Sequence, residues 1–229
     1  MMKQSWLHLL FAHWSVAPEK LAPLIPKPLQ LDLHEGRAWI GVVPFYMDNV
    51  RLSYSPPIPT VSRFAELNVR TYVTLHDRPG VYFFSLDATS LLTVTSARMF
   101  YHLPYYHAEI TMTRDGQTVE YRSKRRNAGG QFQFQGSYRP IGEGYRAVPG
   151  TLDYWLTERY CFYTVRQNQV YRCDIVHEPW LFHPAEANIR VNTMANINGF
   201  VLPDEQPLLH YSERLDVTAG VVKKINGLK

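Results

Sequence analysis

The chain has 229 residues, 45% of them hydrophobic and 19% charged, with a formal net charge of +4 at pH 7. That balance suits a globular chain with a real core, expected to form one domain over residues 1–229, and it excludes a disordered tract. So mild a charge indicates neither a nucleic acid nor a membrane as partner. With Cys161 and Cys173 as the only cysteines, the expectation is reduced buried thiols in a cytoplasmic protein rather than a disulfide framework.

In chain order, Leu7–Trp14 is an apolar run behind Lys3. His8 and His13 interrupt it and no small-residue cleavage site follows, so it reads as an early strand and not a leader. No run of 18 apolar residues occurs, so no spanning helix is expected. Pro18–Leu24 opens with proline and an acidic residue, as a short helix does. Arg37–Met47 is β-rich, with Pro44 predicting an edge or a bulge.

Arg63–Leu75 alternates with period two: Glu66, Asn68, Arg70 and Tyr72 share one face, and Ala65, Leu67, Val69 and Val73 the other. A turn at Asp77–Gly80 and a returning strand at Val81–Ala88 make a hairpin. Ser90–Tyr101 is predicted helical. His107–Arg114 and Gln117–Lys124, joined by Asp115-Gly116, form a second hairpin. Gln131–Tyr138, Val170–His177 and His210–Val217 read as further strands, and Thr151–Arg159 as a helix with a threonine cap. The fold class is mainly β (α+β with few helices): antiparallel sheets curled into a barrel, with a few short helices.

Three segments in register resemble the acetoacetate decarboxylase-like superfamily: Pro18–Leu31, Phe64–Glu66 leading to Leu86-Asp87, and Arg98–Tyr106. Matches through the whole chain (ELNVRTYV at 66–73, LPYY at 103–106, NTMAN at 192–196, HYSERLDV at 210–217) are similar to the YqjF-like family of uncharacterised bacterial proteins within that superfamily. The resemblance implies an acetoacetate decarboxylase-like barrel, a central cavity and a homo-oligomer. The decarboxylases carry two adjacent lysines after the proline corresponding to Pro104, one of which forms a Schiff base. Tyr105 and Tyr106 stand there in this chain, and a phenol cannot form an iminium. An arginine that the decarboxylases place near the substrate falls at about Ser15.

Pattern by itself reads the Glu66–Tyr72 row as a solvated strand face; the resemblance places Glu66 in the cavity. On the second reading Glu66 is a buried carboxylate with a raised pKa, unless Arg70 or Arg98 pairs with it. Arg70 then holds an anion through its planar fork, and the expected catalytic pair is Glu66 as base or acid and Tyr105 as a hydrogen-bond donor, with Tyr106 facing the other way. Asn68, Tyr72, Asp87, Arg98 and Tyr101 complete the expected ligand-binding set, with Asp87 alternatively capping the helix near Ser90. Nine histidines show no metal-ligand spacing, so neither a metal nor another cofactor is indicated. The basic run Arg122–Arg126 reads as a solvated strand end rather than a nucleic-acid patch. The expected function is binding of a small anionic, oxo-acid-like metabolite without Schiff-base decarboxylation. The competing readings are a non-catalytic sensor and a remnant whose cavity is filled by aromatics.

Overall fold

In the computed structural model, residues 1–58, 62–91, 94–95, 99, 101–197 and 199–226 are described. Arg98, expected in the site, lies outside them. The strands are β1 (Met2–Val16), β2 (Gln30–Leu31), β3 (Ala38–Leu52), β4 (Phe64–Leu75), β5 (Arg78–Ala88), β6 (Tyr105–Asp115), β7 (Thr118–Arg125), β8 (Gln133–Pro140), β9 (Cys161–Arg166), β10 (Gln169–His177), β11 (His183–Asn192), β12 (Leu208–Ala219) and β13 (Lys223–Lys224). Helix α1 (Pro18–Leu21) runs into a 3-10 turn at Ala22–Leu24, and α2 (Leu152–Thr157) is capped by Thr151, whose side chain accepts from the Tyr154 amide. Leu91, Val94, Thr95 and Met99 are helical. No helix among the described residues is long and apolar enough to cross a membrane.

The chain is mostly strand and closes a nine-stranded mixed barrel. It runs β5–β6–β7–β8–β11–β12–β1–β3–β4 and returns to β5. The pairings β5–β9 and β10–β12 close a second circuit, β4–β3–β1–β12–β10–β9–β5, on the other side of the same wall. Most ladders are antiparallel as expected; β5 pairs in parallel with β6 and with β9.

Because β1, β3 and β4 belong to both circuits, both of their faces are buried. Leu10, Ala12, Val42, Leu67, Val69, Tyr121 and Phe134 form one core. Leu9, Phe11, Val43, Phe45, Tyr72, Phe162, Trp180 and Phe182 form the other, inside the second circuit. A strand buried on both faces should read as continuously apolar, so the polar alternation of β4 has to be explained by what lies inside.

Local chemistry accounts for the irregularities. Pro44 has no N–H to give, and across from it the β1–β3 register shifts between Leu7 and Ala12, with His8 at φ 53°. The extra residue lies on β1, so the bulge falls on the strand facing Pro44, while Pro44 itself pairs regularly with Leu67 on an interior strand. The β4–β5 turn falls at His76-Asp77, both at positive φ, which suits a two-residue hairpin loop. It is therefore earlier than the Asp77–Gly80 turn expected from sequence. Gly80 lies in the strand, where a Cβ would meet the Tyr163 ring at 2.7 Å and Cys161 Sγ at 2.9 Å. Its glycine serves close packing of β5 on β9. The β9–β10 hairpin turns at Gln167-Asn168, also at positive φ, without the Asn-Gly or Asp-Gly signal that would have shown it.

Candidate functional site

Glu66, Asn68, Arg70 and Tyr72 project from β4 into the second circuit, at 2%, 5%, 8% and 0% exposure. The solvated-face reading is thereby set aside, since the wall strand has no solvent side. Directly opposite on β3 are Phe45 for Glu66, Val43 for Asn68 and Gly41 for Arg70, so the row faces an aromatic-rich interior.

At one end of the row the Tyr105 hydroxyl donates to Glu66 Oε2 at 2.9 Å. Burial pushes the Glu66 carboxyl up to about 8; the Tyr105 hydrogen bond pulls the other way, and the Asp87 charge adds a smaller push. No arginine among the described residues pairs with Glu66. Burial, then the Glu66 charge, raise the Tyr105 phenol well above its ordinary range, so both groups are neutral near pH 7. Tyr105 sits beside Leu86 in the parallel β5–β6 ladder, and its neighbour Tyr106 points to the opposite face.

Asp87 is not on the row's face. It lies opposite Leu67, where Arg125 Nε and Nη2 each donate to one of its oxygens at 2.7 Å. The guanidinium is sandwiched between the Tyr106 and Phe132 rings, 3.9 and 4.1 Å from their centroids. Asp87 thus has a structural partner in Arg125, and the first turn of the helix near Ser90, which it was alternatively expected to cap, lies partly outside the described residues. Arg125 corrects the reading of the basic run: it is buried, while Arg122, Lys124 and Arg126 are exposed. Ser15, at the place of the decarboxylases' arginine, accepts from Arg37 Nε at 2.8 Å.

At the other end, the Arg70 guanidinium lies 5.1 Å over the Phe11 ring. Its Nε has no hydrogen-bond partner, and no carboxylate among the described residues forms an ion pair with it. Asn68 Oδ1 is likewise buried without a partner. The Tyr72 hydroxyl is 2.7 Å from His13 Nε2. Gly41 lets that imidazole lie against the backbone, since a Cβ there would stand 2.9 Å from His13 Cδ2. Tyr101 is half-buried against Phe162 at the margin of this core.

Two contributors escaped sequence reading. His13 looked like an interruption in an apolar run; its face on β1 becomes interior only because β1 is a shared wall. Arg159 ion-pairs with Asp32 and stacks on Trp155 and Tyr72 at 4.4 and 5.1 Å, and no local signal links residues so far apart in sequence. Trp155 and Arg159 also line an outward depression of about 500 Å³ with Asp32, His34 and Glu158. They thus separate that depression from Tyr72. Among the described residues no group of three or more His, Cys, Asp or Glu is arranged to hold a metal.

Residues 3–216 match a family model, DUF2071, described as an uncharacterized conserved protein. Uncharacterized protein YqjF of Bacillus subtilis (strain 168) is 47% identical over 223 residues, covering 97% of this chain and 92% of that protein. Among solved structures, the enduracididine biosynthesis enzyme MppR complexed with pyruvate superposes with a TM-score of 0.68 at 9% identity, covering 97% of this chain and 89% of that one. An acetoacetate decarboxylase-like enzyme from Sphingomonas wittichii RW1 superposes at 0.65 with 13% identity, covering 99% and 94%. At such identities the likeness is one of fold.

Proposed function

The chain belongs to the DUF2071 family, and on that premise we propose that the second circuit of its barrel binds a small anionic, oxo-acid-like metabolite. The observation that carries this reading is Arg70, a buried guanidinium with no counter-charge among the described residues. A charge removed from water is costly unless paired, and stacking on Phe11 offsets about 0.5–2 kcal/mol of that cost. A carboxylate held by the guanidinium fork supplies the missing partner. The unpartnered Asn68 Oδ1 beside it accepts from a ligand donor.

Glu66 acts as an acid rather than a resident anion, because it is protonated at neutral pH. Tyr105 donates to a developing oxyanion or holds Glu66 in place. The chemistry does not pass through an iminium. Lys3, Lys20, Lys27, Lys124, Lys223 and Lys224 are all exposed, and by the resemblance Tyr105 and Tyr106 stand where the decarboxylases carry their two lysines. A pyruvate complex in a protein of the same fold supports the choice of pyruvate as probe.

The test is thermal stabilisation by pyruvate and other small carboxylates. At 100 times Kd a ligand adds about 2.7 kcal/mol, roughly 5–10 °C for a chain of this size. Arg70→Met is expected to abolish the shift, and borohydride with pyruvate is expected to leave the wild-type mass unchanged. The packing of Phe11, Trp180 and Phe182 against one another favours a second reading, an interior filled by aromatics. Absence of stabilisation by every carboxylate decides for that reading.

A further inference from the structure

We propose that the Arg70 site carries its own proton acceptor, His210 held by Asp153, and that its substrate is a 2-oxo acid deprotonated at the carbon next to the carbonyl. This rests on the anion-binding reading above and adds a residue and a reaction class to it.

The geometry begins at Phe11. His210 on β12 is its direct partner across the β1–β12 ladder, so His210 enters the same interior as the row. Arg70 lies over the Phe11 ring at 5.1 Å, and His13, on the same face of β1, stacks beside it at 6.1 Å. Three nitrogenous groups from β1, β4 and β12 therefore surround one phenyl ring. Of these, Arg70 Nε, His13 Nδ1 and His210 Nδ1 are buried with no hydrogen-bond partner. Leaving such an atom buried and unpaired is costly, and three of them on groups that line one face of the interior mark a place built to meet a polar ligand.

His210 is oriented as a base. Its Nε2 lies 3.1 Å from Asp153 Oδ1, and the other carboxylate oxygen accepts from the Tyr145 hydroxyl at 2.9 Å. A carboxylate against Nε2 draws the proton to that nitrogen and leaves the lone pair on Nδ1. Burial keeps the imidazole neutral, against the opposing pull of Asp153. Burial, with Arg70 and His210 nearby, does the same for His13. Glu66, protonated near pH 7, is the wrong state for a base, which separates the two roles.

In the step, the C–H bond next to the carbonyl breaks and its proton forms an N–H bond at His210 Nδ1. The released electron pair becomes the C=C bond of an enolate, and the carbonyl oxygen takes the charge. With the Tyr72 hydroxyl donating to Nε2, His13 carries its proton on Nδ1 and donates to that oxygen. Return of a solvent-exchanged proton restores the oxo acid, so the net observable is isotope exchange, with no oxidant or co-reactant.

The experiment follows the pyruvate methyl signal by proton NMR in deuterium oxide. Wild-type protein is expected to exchange it well above the buffer blank. His210→Gln should lower the rate at saturating pyruvate at least tenfold, with thermal stabilisation by pyruvate retained. Asp153 is a positioning residue. Asp153→Asn should slow exchange with the half-saturating concentration unchanged and move the acid limb of the rate to lower pH, since the carboxylate raises the His210 pKa. Among the described residues, the charged or titratable groups facing His210 are Asp153 of α2, Tyr145 of the preceding loop and His13 of β1, with Arg70 of β4 beyond His13. Stabilisation by pyruvate without exchange, or exchange undiminished in both variants, overturns the proton-acceptor role and leaves the binding reading intact. No stabilisation at all sinks the binding reading first, and this inference with it.

Discussion

The Tyr105 hydroxyl and Glu66 Oε2 meet at 2.9 Å inside a barrel wall whose two faces are both buried. A phenol and a carboxylic acid share this contact, in a neighbourhood where the described lysines are all exposed. The consequences are measurable.

Glu66 makes the protein less stable as pH rises. The native protein holds this proton up to about pH 8, whereas in the unfolded chain the group titrates near its ordinary value of 4.5. Its stabilising contribution is therefore complete below about pH 4.5 and is lost as pH rises through about 8, by an amount on the order of 3–5 kcal/mol. Glu66→Gln keeps the shape and removes the titration. Urea melts across pH 4–9 should show the falling limb flattened in the variant, and a carbon-detected titration should find the wild-type carboxyl far above the carboxylate range.

Tyr105→Phe removes the donor that holds the Glu66 pKa down. The carboxyl should titrate higher still in the variant, with a stability loss of about 0.5–1.5 kcal/mol at pH 7. A downward movement of the Glu66 titration would contradict the hydrogen-bond assignment.

Arg125→Met leaves Asp87 fully buried without its guanidinium. Breaking a buried pair from one side costs about 3–5 kcal/mol. Burial already raises the Asp87 pKa, and the Arg125 hydrogen bonds and charge oppose that rise, so loss of Arg125 raises it further. The deficit in urea melts should accordingly shrink as pH falls, and Asp87→Asn added to Arg125→Met should recover part of it at pH 7.

Gly41→Ala drives a methyl into the His13 ring, 2.9 Å from Cδ2 and 3.0 Å from Nε2. A loss of about 1–3 kcal/mol is expected. The Tyr72–His13 contact should break, visible as a changed His13 ring signal in nitrogen-edited NMR. An unchanged ring signal would mean that Gly41 does not set the position of His13.

Much of the architecture was legible in the chain. Period-two alternation from Phe64 to Leu75, Asp115-Gly116 between two polar-apolar strands, and Pro18 and Thr151 at helix starts are local signals with local causes. They located most of the strands and the short helices. Tyr105 and Tyr106 face opposite sides, as sequence predicts once the segment is a strand, because successive side chains alternate in an extended backbone.

The partners of those side chains were decided by closure. Sequence pattern could assign Glu66–Tyr72 and Asp87 to faces of their strands, but whether a face meets water or a second core depends on which distant strands complete the circuit. Pairing of β5 with β9 and of β10 with β12 turned a polar strand face into an interior. The β4–β5 register, shifted between Val69 and Arg70, put Asp87 on the opposite side, against Arg125. His13, His210 and Asp153 lie up to 197 positions apart along the chain, and they converge only because β1 and β12 pair and α2 brings Asp153 against His210. Local pattern determined the strands and which way each side chain points; the long-range pairings decided what each one meets.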